Sequence, residues 1–205
     1  MGLVKYNDLS ISSIDDVSNI DGAMILIKTM TASSSDDLTF VNGSDDVVLD
    51  STYPIYVFKF ISLHMNTDDV AFQVNFRDGG SSYDATKTTT NFRAQHDEGD
   101  ALTQLTYATD RDIAQGTGVQ ELFCEQHGND ADASANGEMF LFNPSSTTFV
   151  KHFLAKGNHM TQSSRTANSF MAGYCNVTAA IDGVQFSPSS GNFNGTIKLY
   201  GIKDS

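Results

Sequence analysis

The residues best placed to hold a metal are Asn129-Asp130-Ala131-Asp132-Ala133-Ser134, where oxygen ligands alternate along a short loop. That spacing superficially suits calcium, but no glycine stands at the sixth place and no bidentate Glu ends a twelve-residue loop. An ordinary hairpin loop is the expectation. The histidines are His64, His96, His127, His152 and His159, and none is spaced His-x-His or His-x-x-x-His, so zinc or iron has no local pair to start from. His64, His127 and His152 fall near the ends of predicted strands and read as polar caps of a sheet. Gly116-Thr117-Gly118 lacks the third glycine of a dinucleotide loop and reads as a turn. There is no Gly-x-Ser-x-Gly nucleophile elbow. Asp97, Glu98 and Asp100 read as a solvated loop face rather than a glycosidase pair. The expectation is no catalytic, cofactor-binding or metal site, and no enzyme.

Composition narrows the classes further. Lys+Arg 12 against Asp+Glu 25 gives a formal net charge of −13 over 205 residues. So acidic a chain repels phosphate backbones and anionic lipid, which argues against nucleic-acid partners. No apolar run reaches the roughly 18 residues of a membrane span, so no membrane insertion is expected. The polar N-terminus predicts no cleaved secretory leader. Cys124 and Cys175 both fall in predicted strands; two cysteines make no disulfide scaffold, and buried free thiols or one cross-strand bridge both fit. Without a leader, the acceptor patterns at Asn42, Asn176 and Asn194 read as chance matches.

The elements that would carry these residues read as strands. Val70, Phe72, Val74 and Phe76 alternate with Ala71, Gln73, Asn75 and Arg77, the period of a half-buried strand. Tyr53 to His64 is apolar on both faces and predicts a central strand covered on both sides. Further strands are predicted at Ala23 to Met30, Leu38 to Val41, Val119 to His127, Met139 to Phe142, Thr147 to Leu154, Phe170 to Val177, Ile181 to Ser187 and Thr196 to Ile202. Turn signals separate them: Asn42-Gly43, Asp78-Gly79-Gly80-Ser81, Asn143-Pro144-Ser145-Ser146 and Ser189-Ser190-Gly191-Asn192. Residues 82–118 read as a long excursion between two strands, with one short helical turn at Leu102 and Leu105. Residues 1–20 read as a polar arm, and 21–205 as one all-β domain, an antiparallel β-sandwich of jelly-roll-like kind.

Several segments carry a resemblance. Leu141-Phe142-Asn143-Pro144-Ser145-Ser146-Thr147-Thr148-Phe149-Val150-Lys151-His152-Phe153 resembles a strand–turn–strand of virion structural proteins from marine tailed phages. So do Ile181 to Ser187, Ser190-Gly191-Asn192, and Gly195 to Ile202, with Tyr53 to Phe60, Asp78 to Tyr83 and Gln115 to Gly118 in the middle. The likeness spans roughly residues 20–203 and is to cyanophage and pelagiphage proteins. It implies a jelly-roll β-sandwich that decorates the capsid or sits on the tail or tail fibre, and no catalytic residues. It also implies assembly with other virion proteins, after synthesis in a reducing host cytoplasm that requires no disulfide. A homo-oligomer is expected, a trimer by analogy with jelly-roll assemblies. The 82–118 excursion and the 128–136 loop are the expected contact surfaces. The alternative is a lectin-like module for host-surface glycans, with Tyr83, Asn91, Asp130 and Asp132 as the first suspects. A polysaccharide depolymerase ranks last, because the chain lacks the repeats of a parallel β-helix.

Overall fold

A computed structural model describes residues 23–204; the expected arm at 1–20 lies outside them. The described chain forms twelve strands and no helix. These are β1 (Met24–Ser35), β2 (Leu38–Val41), β3 (Ile55–Met65), β4 (Phe72–Arg77), β5 (Lys87–Asp97), β6 (Thr103–Tyr107), β7 (Gln120–Glu121), β8 (Ala135–Phe142), β9 (Lys151–Met160), β10 (Arg165–Cys175), β11 (Gly183–Pro188) and β12 (Phe193–Ile202). They pair into an eight-stranded sheet, β1-β12-β3-β8-β9-β10-β5-β6, and a four-stranded sheet, β2-β11-β4-β7. Every pairing is antiparallel. The two sheets pack face to face as a β-sandwich.

Phenylalanine joins the layers. Phe40, Phe72 and Phe186 project from the small sheet, and Phe58, Phe60 and Phe193 from the large one, all buried. Phe186 is the hub, with ring centroids 5.2 Å from Phe58, 5.3 Å from Phe60, 6.1 Å from Phe40 and 6.3 Å from Phe72. Most of these contacts are edge-to-face, the arrangement that the ring quadrupole favours. The inward positions expected of β4 hold, with Phe72, Val74 and Phe76 all buried, but the strand begins at Phe72 and Asn75 on its other side is buried as well.

The small sheet cannot cover the large one. Beyond its reach, residues 108–127 roof the inner faces of β9, β10 and β5. This roof is tied by polar bonds. Thr89 Oγ1 donates to Gln120 Oε1 at 2.5 Å, Arg93 donates to the Cys124 carbonyl at 3.1 Å, and the Cys124 N–H donates to Ser169 Oγ at 2.8 Å. Hence the inner face of β5 reads Lys87, Thr89, Asn91, Arg93, Gln95 rather than a run of apolar residues. Gly157 permits the close approach, since a Cβ there would lie 2.3 Å from the Phe123 ring. A second glycine is required at Gly195, with φ of 127° and no room for a Cβ beside the Ser62 carbonyl and Leu63. There the register of β12 on β3 shifts.

Several expectations are corrected. The 82–118 excursion contains two strands, β5 and β6, and Leu102 and Leu105 form no helical turn. The strand expected over Val119 to His127 shrinks to Gln120–Glu121, because the rest is roof. Cys124 accordingly lies outside any strand. Among the described residues β3 has a second layer on one side only. Tyr56, Phe58 and Phe60 face the core; on the other side Val57 is buried, while Ile55, Lys59 and Ile61 stay partly exposed. A bulge between Phe60 and Leu63 then turns Leu63 inward with the core set. β9 runs on to Met160, through Gly157 and Asn158, where no apolar pattern marked it.

Phe186→Ala is expected to cost about 3–5 kcal/mol of unfolding free energy, as for other buried aromatic truncations. Denaturant titration checks this; a loss under about 1 kcal/mol would deny Phe186 its central place in the core.

Candidate interaction face and buried histidine pair

Among the described residues, no second layer covers the outer face of the large sheet. Its composition follows from strand register. One row crosses all eight strands: Thr29, Lys198, Lys59, Glu138, Lys156, Phe170, Phe92 and Tyr107. The adjacent row reads Leu26, Tyr200, Val57, Phe140, Leu154, Ala172 and Thr90. Period two makes each of these residues share the outer side, since their neighbours along the strand fill the core.

Toward β6 the face is apolar and open to solvent. Phe92 and Phe170 are 41% and 37% exposed, Leu154 48% and Leu105 75%. The Phe92 and Phe170 rings stack, with centroids 5.0 Å apart and planes 10° from parallel. Beside them lies a depression of about 350 Å³ bounded by Phe92, Phe140, Leu154, Phe170 and Ala172. Toward the sheet centre Glu138 is gripped from two sides, by Lys59 and by Lys156 at 3.0 Å. Burial works to raise the Glu138 carboxyl, but the bonds from the two lysines outweigh it and hold it below its usual value. The strand residues of this face thus carry three lysines, Lys59, Lys156 and Lys198, against one Glu138.

At one end of the same face a polar cup of about 430 Å³ is lined by His96, Glu98, Asp132, Asn136, Asn158 and Arg165. Of the four suspected glycan contacts only Asp132 lies there. Asp130 is exposed in the same loop, where its carbonyl accepts the Ala133 N–H at 2.8 Å. Asn91 is fully buried under the roof, donating to the Glu121 carbonyl at 3.4 Å and accepting from the Cys124 thiol. Tyr83 sits beside Arg77, next to Gly183 of the small sheet. The four are not brought together.

The histidines separate into three situations. His96 pairs with Asp100 on the surface at 3.1 Å, His152 is exposed on the outer face, and His64 is half-buried, bonded to the Ala133 carbonyl at 2.8 Å. His127 and His159 form a buried pair, with ring centroids 4.4 Å apart and both packed on Phe123. His127 is therefore no polar cap. It bridges Val70 and Thr161 where the roof dips beneath β9. His159 reaches the Glu125 carbonyl at 3.1 Å, while His159 Nδ1 and His127 Nε2 have no hydrogen-bond partner. Among the described residues no three His, Cys, Asp or Glu side chains are grouped to hold a metal ion.

Cys124 and Cys175 are both free and buried. Burial pushes their thiols up to about 11 and about 12, which leaves them protonated and poor nucleophiles. Cys175 lies in register with Lys87 on one side and Lys151 on the other, all three buried. Lys151 Nζ donates to the carbonyls of Val177 and Ala179 at 2.6 Å each and of Ser146 at 3.3 Å, so its charge is used to tie two loops together. Burial pushes Lys87 down to about 8.

No family model matches this chain, and comparison with curated proteins and with solved structures finds no match either.

The histidine pair sets a pH dependence. Burial lowers His159 from 6.5 to about 4, and lowers His127 well below 6.5, with His159 adding to the effect. Between those values the unfolded chain binds protons that the folded chain refuses, so stability is lost as pH falls from 6.5 toward 4. Each imidazole contributes up to about 1.4 kcal/mol per pH unit in that window. Thermal melts from pH 7 to 4.5 are expected to fall steeply, with a shallower slope in His127→Gln; equal slopes in both proteins would refute the pairing.

Proposed function

We propose that this protein is a non-enzymatic structural subunit of a phage virion, on the capsid surface or the tail, which works by assembling through the outer face of its large sheet. The single observation that carries the reading is that face. A broad sheet side carrying a stacked Phe92–Phe170 pair, Leu154 and Leu105 in contact with water is the signature of a protein-binding surface. The resemblance of the strand–turn–strand and C-terminal segments to marine phage virion proteins supplies the setting. A homotrimer is the favoured assembly, with the jelly-roll-like sandwich as its building block. The two buried thiols suit synthesis in a reducing cytoplasm. The acidic remainder of the chain keeps free subunits soluble and away from nucleic acid before assembly.

The polar cup supports a second reading, a glycan-binding module. Its carboxylates, amides and guanidinium match sugar hydroxyls, and glycan-array binding abolished by Asn158→Ala is the test of that reading.

For the assembly reading, light scattering on the purified full chain is expected to give a mass near three times 22.2 kDa. Phe170→Asp places a charge in the stacked pair without touching the core. It is expected to weaken self-association by a hundredfold or so while leaving the thermal melt within a few degrees of the parent, the usual size of a surface change. A Phe170→Asp protein that assembles like the parent would remove the outer face from the reading.

A further inference from the structure

Among the described residues β1, β6, β2 and β7 stand at the ends of the two sheets. An end strand offers unpaired backbone groups to any other chain unless something guards it. β1 carries Lys28 and two register shifts against β12 that break its line. β2 has four residues and β7 two, too few to template a ladder. β6 is the least guarded. Its five residues, Thr103, Gln104, Leu105, Thr106 and Tyr107, carry no charge, no proline and no register shift on β5. Leu105 and Tyr107 are exposed there.

The direction of its backbone groups follows from the pairing with β5. The Asp97 N–H donates to the Leu102 carbonyl at 3.1 Å, and the Ala108 N–H to the Asn91 carbonyl at 2.9 Å. Bonded and non-bonded pairs alternate along an antiparallel ladder. Leu102, Gln104, Thr106 and Ala108 therefore turn their backbone groups toward β5, while Thr103, Leu105 and Tyr107 turn theirs outward. Among the described residues no strand or backbone bond meets those outward groups. We propose that this edge pairs with β6 of a second copy of this chain, antiparallel, about a two-fold axis beside Leu105. Leu105 then opposes Leu105 of the second copy, Thr103 opposes Tyr107, and every outward N–H and C=O of the three residues finds a partner on the other strand. A strand whose central residue faces outward is complementary to itself in this way, as an isologous contact requires. No like charges are opposed within the strand, and its opposed pairs are ones that stabilise a sheet. The Tyr107 side chain shares the outer row of Phe92, so those of Thr103 and Leu105 lie on the outer side too. The two Leu105 side chains meet there, and the apolar strip runs on from one copy to the next. The pairing uses an edge and leaves the outer face free, so it stands apart from assembly through that face.

Asp100 and Asp110 lie exposed just outside the two ends of β6, so the test is run in about 0.5 M NaCl, where their mutual repulsion is screened. Full-length Leu105→Cys protein is treated with diamide and run on a non-reducing gel beside Gln104→Cys. Opposed hydrogen-bonded residues have Cα atoms about 5.5 Å apart, within reach of a disulfide. Cys124 and Cys175 are buried and stay out of the reaction. The expected result is a covalent dimer of twice 22.2 kDa from Leu105→Cys, undone by dithiothreitol, and none from Gln104→Cys, whose side chain turns to the other side of the sheet. Leu105→Pro removes the central outward donor without touching a bond to β5. In light scattering it is expected to raise the concentration at which the mass doubles by roughly tenfold or more, with a thermal melt within a few degrees of the parent. A parent whose mass never doubles with concentration, equal cross-linking or none in the two cysteine variants, or a Leu105→Pro protein that pairs like the parent overturns the edge contact. Assembly through the outer face is read separately, from Phe170→Asp, and stands or falls by that variant.

Discussion

An eight-stranded sheet facing a four-stranded one has more surface than its partner can cover, and that mismatch shapes the molecule on both sides. Inside, the surplus is closed by the 108–127 roof, whose short strand β7 pairs with β4 and which backbone and side-chain bonds tie down onto β5 and β10. Outside, none of the described residues forms a second layer, and strand register decides what solvent or a partner meets. The phenylalanine cluster around Phe186 fixes the two sheets where they do overlap. The roof seats the remaining polar groups, with Phe123 in the space that Gly157 leaves open.

The same constraint explains where unusual chemistry collects. The inner face of β5 is polar because it faces a loop whose backbone groups need partners, and a buried N–H or carbonyl without one costs about 1–3 kcal/mol. Asn91 and Arg93 of β5, and Gln120 within the roof, answer that need. The His127–His159 pair sits where the roof passes under β9, in a space too apolar to hydrate a cation. The buried lysines and histidines are accounted for by the closing of a core, and the surface that remains unaccounted for is the outer face.

Much of the sandwich was legible in the sequence where one face meets aromatic core. β4, β11 and β12 show their period because phenylalanine or aliphatic residues return every second place. β2 is found at its own boundaries for the same reason. β5 and β6 are hidden, since Thr88-Thr89-Thr90 alternates between a polar roof and solvent, and Leu105 is apolar on the exposed side. The outer face itself left only a scattered trace. Phe92, Leu154 and Phe170 lie tens of residues apart and become neighbours through β5–β10–β9 register, which local periodicity does not encode. The burial of Asn91 and His127 follows from the path of the roof, and no local pattern announces a loop that packs inward.

Hydroxyl-radical footprinting of the side chains on the assembled protein and on its dissociated subunits tests the outer face most directly. Phe92, Leu154 and Phe170 are expected to lose reactivity on assembly, while Tyr83, on the small-sheet side, keeps most of its own. Equal labelling of the three outer-face residues in both states would rule out assembly through that face.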